Sequence, residues 1–199
     1  LRDEVVDHAM EDHAGVVALA HVLQEVRDRE RRAGRVQLDH ELAQAGFDLH
    51  ARVGGDPGGV LARVLGTSSI EIGVKPGSLL PFHGSAQGKI ALAFGDEALR
   101  TRVFRSRLEM LTPSTITAAG VLEEEIERTR QRGWAIAPNE ALIGINTLAA
   151  PVFDVSGTLV AAVGIVDSVQ FIPPEASDDQ IRRTVTAAQR ISRDLGFRE

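Results

Sequence analysis

The chain has 199 residues, of which 43% are hydrophobic and 25% are charged, and its formal net charge is −6. This composition is typical of a globular protein, and the length predicts one domain with an appendage. The absence of cysteine excludes disulfides, thiol catalysis and cysteine-ligated zinc, and the negative charge argues against DNA binding by these residues themselves. No apolar run reaches the roughly 18 residues of a membrane-spanning helix and no signal peptide is visible, so we expect a cytoplasmic protein.

The first segment, residues 1–33, carries apolar residues at three- and four-residue steps, which predicts a helix softened at Gly15. Glu4, His8 and Asp12 fall on one face of that helix, and carboxylates and imidazoles are metal ligands. A polar surface stripe explains the same residues and is the interpretation that we favour, so no metal site is predicted. A second short helix is expected at 38–45.

Strand patterns follow. Residues 47–53 alternate apolar and polar side chains, the glycine-rich segment 54–58 predicts a turn, and residues 59–65 are expected to return as the partner strand. Residues 69–74 predict a third strand.

Three helices with recognisable ends come next. Ser85 is predicted to cap a helix closed by Gly95, and Asp96 to cap a second helix with Leu99, Val103 and Met110 on one face. The second helix also carries four arginines that could bind an anion, although a solvated face is the favoured interpretation: Arg100, Arg102, Arg105 and Arg107.

The third of these helices is predicted over residues 118–132, with Thr117 as its N-cap and Gly133 at its end. Two apolar runs, 148–153 and 158–166, then predict antiparallel strands joined by a turn at 154–157. Small residues in both runs would let either a helix or a ligand approach the backbone, and the sequence leaves both interpretations open.

A last helix is predicted to begin at Asp178 or Asp179, with an inward stripe formed by Ile181, Val185, Ala188, Ile191 and Leu195. Because helices and hairpins are mixed rather than alternating one by one, the chain is predicted to be α+β with a mainly antiparallel sheet.

Catalytic signatures are missing from the sequence. It contains no GxSxG, no Walker loop, no HExxH and no GxGxxG after a strand, so we expect no enzyme and no cofactor. The segment 83–89 places hydroxyl, amide and backbone N–H groups at a helix N-terminus, where an anion is favoured. Helix capping by Ser85 explains the same segment equally well.

From about residue 40 to residue 195 the chain resembles the effector-binding domain of IclR-type bacterial transcription regulators. Four segments carry the resemblance in the family's order: GSLLPFHGSAQGKIALAF (77–94), LTPSTIT (111–117), LEEEIERTRQRGWAIAPNE (122–140) and GINTLAAPVFDVSGTLVAAVGI (144–165). The resemblance implies a GAF-like α+β fold, in which helices pack against a curved, mainly antiparallel sheet with a ligand pocket on one side.

The resemblance also implies the organisation and function of the protein. It implies an N-terminal helical or linker segment, 1–35, and an effector-binding domain, 36–199. This domain would sense a small organic effector and control DNA binding by a winged helix-turn-helix that the chain does not show, within a cytoplasmic homodimer or homotetramer. The alternative is a stand-alone small-molecule-binding protein or an enzyme of the same fold.

The effector is expected between the helix start at 85–94 and the hairpin at 144–168. The resemblance and the small hairpin residues predict a lining of Ser85, Gly88, Asn146, Thr147, Gly164 and Val166, with Asp167 and Ser168 near the rim. Family members that sense small carboxylates tend to show hydroxyl-bearing residues at the positions of Gly164 and Val166. The loss of those donors predicts a larger or less polar effector, such as an aromatic compound, or a degenerate pocket.

Overall fold

The structure, a computed structural model, describes residues 15–20, 60–64 and 81–198. Several predictions lie outside the described residues: the helix at 38–45, the strands at 47–53 and 69–74, and the polar stripe of Glu4, His8 and Asp12.

The described part of the chain contains four helices and five strands. In chain order they are β1 (Gly15–Ala20), β2 (Val60–Val64), α1 (Ala86–Phe94), α2 (Glu97–Arg105), α3 (Ala119–Arg132), β3 (Ala135–Ile136), β4 (Ile145–Phe153), β5 (Leu159–Ser168) and α4 (Asp178–Asp194). The strands form one antiparallel sheet in the order β2–β1–β5–β4–β3. The predicted α+β class with a mainly antiparallel sheet is confirmed.

The prediction of a helix over residues 1–33 is wrong for Gly15–Ala20, the part of that segment that the structure describes. These residues form β1, in which Val17 pairs with Arg63 on β2 and with Gly164 on β5. An unbroken apolar run fits a helix or a strand equally well by periodicity, and here two sheet neighbours favour the strand. The division into 1–35 and 36–199 stays a prediction, with Gly15–Ala20 contributing a strand to the sheet that contains β5.

The β4–β5 hairpin is confirmed. In its turn, the Oδ1 atom of Asp154 accepts hydrogen bonds from the backbone N–H groups of Ser156 at 2.8 Å and Thr158 at 3.1 Å, while Gly157 adopts a φ of +77°. An aspartate and a positive-φ glycine in four residues are typical of a tight turn.

The hairpin has a helix on each face. Ala86 and Ile90 of α1 pack against Ala149 and Ala162, and on the other face Ala188 of α4 packs against a cluster formed by Ala150, Val152, Val160 and Val163. Helix α3 lies behind α1, against which Leu122 and Ile126 are fully buried. Helix packing therefore accounts for the alanines of the hairpin.

Both predicted ends of α1 are confirmed, as are the start of α2 and the end of α3 at Gly133, whereas α2 ends earlier than predicted and α3 begins one residue later. Asp96 caps α2, since its Oδ1 atom accepts from the N–H of Leu99 at 2.6 Å. Helix α3 begins at Ala119 after Ala118, which makes no side-chain cap bond, so Thr117 is not the cap. Met110 lies beyond the end of α2 and is 67% exposed, which contradicts its predicted place on the buried face.

Helix α4 begins at Asp178 as predicted, but its buried face differs from the predicted stripe. The buried residues are Thr184, Ala188 and Ser192, whereas Ile191 and Leu195 are exposed. The Thr184 hydroxyl donates to the Gln180 carbonyl at 2.9 Å and the Ser192 hydroxyl to the Ala188 carbonyl at 2.8 Å. Because these hydroxyls are hydrogen-bonded within the helix, the small Thr184 and Ser192 side chains can be buried and let the helix pack close to the sheet. The spacing of apolar residues alone does not predict this buried face.

Candidate functional site

The predicted site lies where the first turn of α1 meets the sheet. Ser85 is buried, and its Oγ atom accepts from the N–H of Gly88 at 3.1 Å and donates to the carbonyl of Pro81 at 2.7 Å. Its hydroxyl is therefore a helix cap that also fixes the preceding turn.

Gly88 serves a close approach between two segments of backbone. A Cβ atom at Gly88 would lie 2.4 Å from both the Cα and the carbonyl oxygen of Phe82. The first turn of α1 can rest on the segment before it only because no side chain intervenes.

Gly164 faces α1, and because it has no side chain it leaves space for Gln87, which was not among the predicted site residues. A Cβ atom at Gly164 would lie 2.7 Å from the Nε2 atom of Gln87 and 3.0 Å from the carbonyl oxygen of Leu148. Gln87 is fully buried, and neither atom of its amide has a hydrogen-bond partner among the described residues. A glutamine between small and apolar residues, in the sequence SAQGKIALA, is the signal that could have identified it.

Strand alternation divides the predicted hairpin residues between the two faces of the sheet. Thr147 pairs with Val166 next to the pair of Ala149 and Gly164, so Thr147, Gly164 and Val166 share the face that α1 covers. Ser168 follows on the same side of β5, and its hydroxyl is buried without a partner in the described part of the chain.

Asn146 and Asp167 pair with each other on the opposite face, towards α4. The Nδ2 atom of Asn146 donates to the carbonyls of Ile172 at 3.0 Å and Pro173 at 2.8 Å, which holds the segment that follows β5. The Oδ1 atom of Asp167 accepts from the N–H of Ser168 at 2.6 Å. The structure therefore does not bring these two residues together with Thr147, Gly164 and Val166.

A buried ion pair lies beside the site, and neither of its residues was predicted to belong to it. The Nζ atom of Lys89 is 2.6 Å from the Oε1 atom of Glu140 and donates to the Ile136 carbonyl at 3.0 Å, and the two side chains are 1% and 7% exposed. Burial raises the pKa of the Glu140 carboxyl above its ordinary value, and the positive charge of Lys89 opposes that rise. A lysine on an otherwise apolar helix was the available signal.

The backbone of Glu140 joins the ion pair to a threonine loop. Its carbonyl accepts from the hydroxyl of Thr115 at 2.7 Å and from that of Thr112 at 3.3 Å. The start of α1, the loop at 111–116 and the segment before β4 are thus tied together at one point.

The arginines of α2 do not converge on a site. Arg100 lies 3.8 Å from Glu123 and over the ring of Phe104, while Arg102 and Arg105 border an open depression of about 640 Å³ along the helix, together with Glu97. An acidic side chain in the lining of that depression favours the interpretation of a solvated face. In the described residues, no cluster of three potential metal ligands occurs.

Comparison with known proteins gives a consistent result. A family model described as "Bacterial transcriptional regulator IclR C-terminal" matches residues 47–193. The chain is 35% identical over 122 residues to the glycerol operon regulatory protein of Streptomyces griseus, which covers 60% of this chain and 48% of that protein. The chain therefore spans about half the length of that curated relative.

Solved structures agree in fold. The crystal structure of the Thermotoga maritima IclR superposes with a TM-score of 0.71 at 26% identity, covering 98% of this chain and 67% of that one. An IclR homologue from Microbacterium hydrocarbonoxydans, complexed with 4-hydroxybenzoate, superposes with a TM-score of 0.67 at 18% identity, covering 98% and 68%. At that identity the second likeness shows the fold alone.

Proposed function

Because the chain belongs to the IclR C-terminal family of bacterial transcriptional regulators, we propose that it is a ligand-sensing domain whose small organic effector controls DNA binding. The observation that carries the proposal is the match of the family model to residues 47–193. DNA is contacted by a domain other than this one, since the net charge of −6 disfavours contact with phosphates.

The effector site that we propose lies between α1 and the hairpin, at Ser85, Gly88, Thr147, Gly164, Val166 and Ser168. Asn146 and Asp167 of the predicted lining are left out, because they lie on the other face of the sheet. Its inner part comprises Thr147, Gly164 and Val166, which share the face of the sheet beneath α1. Ser85 and Gly88 set the position of the helix start. The unpartnered polar atoms of Gln87 and Ser168 support a ligand at this place.

An aromatic effector suits this site better than a small carboxylate. Gly164 and Val166 offer no hydroxyl donors that could hold a carboxylate. The related structure that holds 4-hydroxybenzoate is consistent with an aromatic ligand for this fold.

The protein that contains this domain is proposed to be a cytoplasmic, non-enzymatic regulator that acts as a homodimer or homotetramer. The relative from Streptomyces griseus is named as a regulatory protein, and among the described helices none combines the length and apolar character needed to cross a bilayer. Two adjacent loops also expose large apolar side chains, as subunit contacts require: Met110, Leu111, Leu142 and Ile143.

A titration tests the site. We expect 4-hydroxybenzamide or 4-hydroxybenzoate, added separately, to shift the backbone NMR resonances of Thr147, Gly164 and Val166. Thr147→Val keeps the shape but removes the hydroxyl, and is expected to weaken binding by up to about tenfold. The matched variant Thr186→Val lies on the exposed side of α4 and should bind as the wild type does. Shifts confined to other elements would place the site elsewhere.

A second expectation concerns DNA. This chain alone should show no salt-sensitive binding to duplex DNA, because its net charge of −6 leaves no surplus of cations to neutralise phosphates. Fluorescence anisotropy of a labelled duplex at low and at high salt measures this directly. A salt-dependent rise in anisotropy that disappears in Arg102→Glu would contradict the proposal and implicate α2.

A further inference from the structure

The side chain of Gln87 is buried in an unusual state. It is fully buried, and its Nε2 and Oε1 atoms both lack a hydrogen-bond partner among the described residues. Gln180, by comparison, donates to the Phe171 carbonyl at 2.6 Å and accepts from the N–H of Ser177 at 3.0 Å. Because a buried amide loses the hydrogen bonds that water gave it, Gln87 calls for a partner that is not part of the described protein.

The position of the amide places that partner in the proposed effector site. The Nε2 atom of Gln87 would be 2.7 Å from a Cβ at Gly164, and its Cδ atom 3.3 Å, so the amide lies against the backbone of β5. Thr147 and Val166 form the next pair along the same face of the hairpin. A ligand in contact with Thr147 and Val166 would therefore lie beside the amide of Gln87.

The charges around Gln87 disfavour an anionic ligand. The nearest cation along α1, Lys89, is 2.6 Å from Glu140 and also bonded to the Ile136 carbonyl, so it is already engaged. Around it, Ala86 and Ile90 of α1 form a hydrophobic cluster with Ala149 and Ala162 of the hairpin. A carboxylate here would lack a cation and would turn its acceptor oxygens towards the acceptor Oε1.

From this geometry, and resting on the proposed function, we infer that Gln87 determines effector specificity by selecting a neutral group with a donor and an acceptor side by side. A carboxamide or a lactam has this arrangement. Its carbonyl accepts from Nε2–H while its N–H donates to Oε1, so both unpartnered atoms of Gln87 are satisfied at once. A carboxylate has no donor and leaves Oε1 unpartnered.

The test compares 4-hydroxybenzamide with 4-hydroxybenzoate, which differ only in this group. The wild-type protein is expected to bind the amide at least about tenfold more tightly. Gln87→Met, which keeps the length of the side chain and removes the amide, should weaken 4-hydroxybenzamide about tenfold and 4-hydroxybenzoate by less, so that the preference for the amide is lost. Gln189→Met, on the exposed side of α4, is the matched control and should change neither affinity.

The outcomes separate this inference from the proposed site. If the two probes bind equally well and both shift Thr147 and Val166, the role of Gln87 is overturned and the site remains. If neither probe binds at millimolar concentration, or both shift other elements only, the inference and the site fall together. The wild-type preference is measurable even if Gln87→Met does not fold, and a wild-type preference for the acid would overturn the inference by itself.

Discussion

Lys89→Met is expected to lower the free energy of unfolding by about 3–5 kcal/mol at neutral pH, because it leaves Glu140 buried without its cation. The pKa of Glu140 is already raised by burial, and without Lys89 it should rise further. A carboxyl whose folded-state pKa lies above its unfolded value contributes stability below the unfolded value and loses it as the pH rises through the folded one. The deficit of Lys89→Met should therefore be larger at pH values above neutrality than in mild acid. Urea denaturation across that range measures it.

Two further variants give the prediction its controls. Lys89→Met combined with Glu140→Gln removes both charges and should recover part of the lost stability, since the two residues are in direct contact. Arg182→Met breaks an exposed ion pair with Asp179 and should cost less than about 1 kcal/mol. A Lys89→Met protein as stable as Arg182→Met would show that the buried pair contributes nothing.

Gly88→Ala is expected to destabilise the protein by about 1–3 kcal/mol or more, although alanine is the better helix former. The added Cβ would lie 2.4 Å from the Cα and the carbonyl oxygen of Phe82, and backbone cannot move aside as a flexible side chain can. The start of α1 would then shift, and ligand binding at the proposed site should weaken with it. Thermal melts and titration of one variant measure both effects.

Gly120→Ala, by contrast, is expected to make the same protein more stable. Gly120 lies in the first turn of α3, and a Cβ there would meet nothing within 4 Å. The same substitution should therefore stabilise by about 0.5–1 kcal/mol, as helix propensity alone predicts. If both variants were stabilising, the close approach at Phe82 would not constrain α1.

The sequence was sufficient to predict helix starts and the hairpin turn, because the residue types at those positions have one common structural role. Ser85 and Asp96 cap the helices predicted for them, and the aspartate and glycine of the turn 154–157 form the predicted hairpin. These features depend on neighbours within a few residues, which a sequence displays directly. The fold class followed from the order in which such elements occur.

Features that depend on distant partners were the ones that the sequence could not give. Lys89 and Glu140 are far apart in the chain, and although the apolar helix around Lys89 suggests that it is buried, nothing near it in the sequence identifies Glu140 as its partner. Helix α4 packs close to the sheet, so the face with the smaller side chains of Thr184 and Ser192 is buried and Ile191 is exposed. Gln87 looked like a polar member of a helix start, and only the bare backbone of Gly164 opposite it reveals what its amide faces.

The position of β1 has a consequence for the kinetics of folding. Val16 pairs with Ile165, so about three quarters of the chain lies between one residue of the sheet and its partner. Closing a loop of this length costs conformational entropy before the strands make stabilising contacts, and contacts between residues so far apart in the sequence slow folding. The β4–β5 hairpin, with its short turn, can form early and alone, whereas the ladder between β1 and β5 must close late. During synthesis β1 leaves the ribosome before its partner strand β5, so it remains unpaired on that side until β5 has been made.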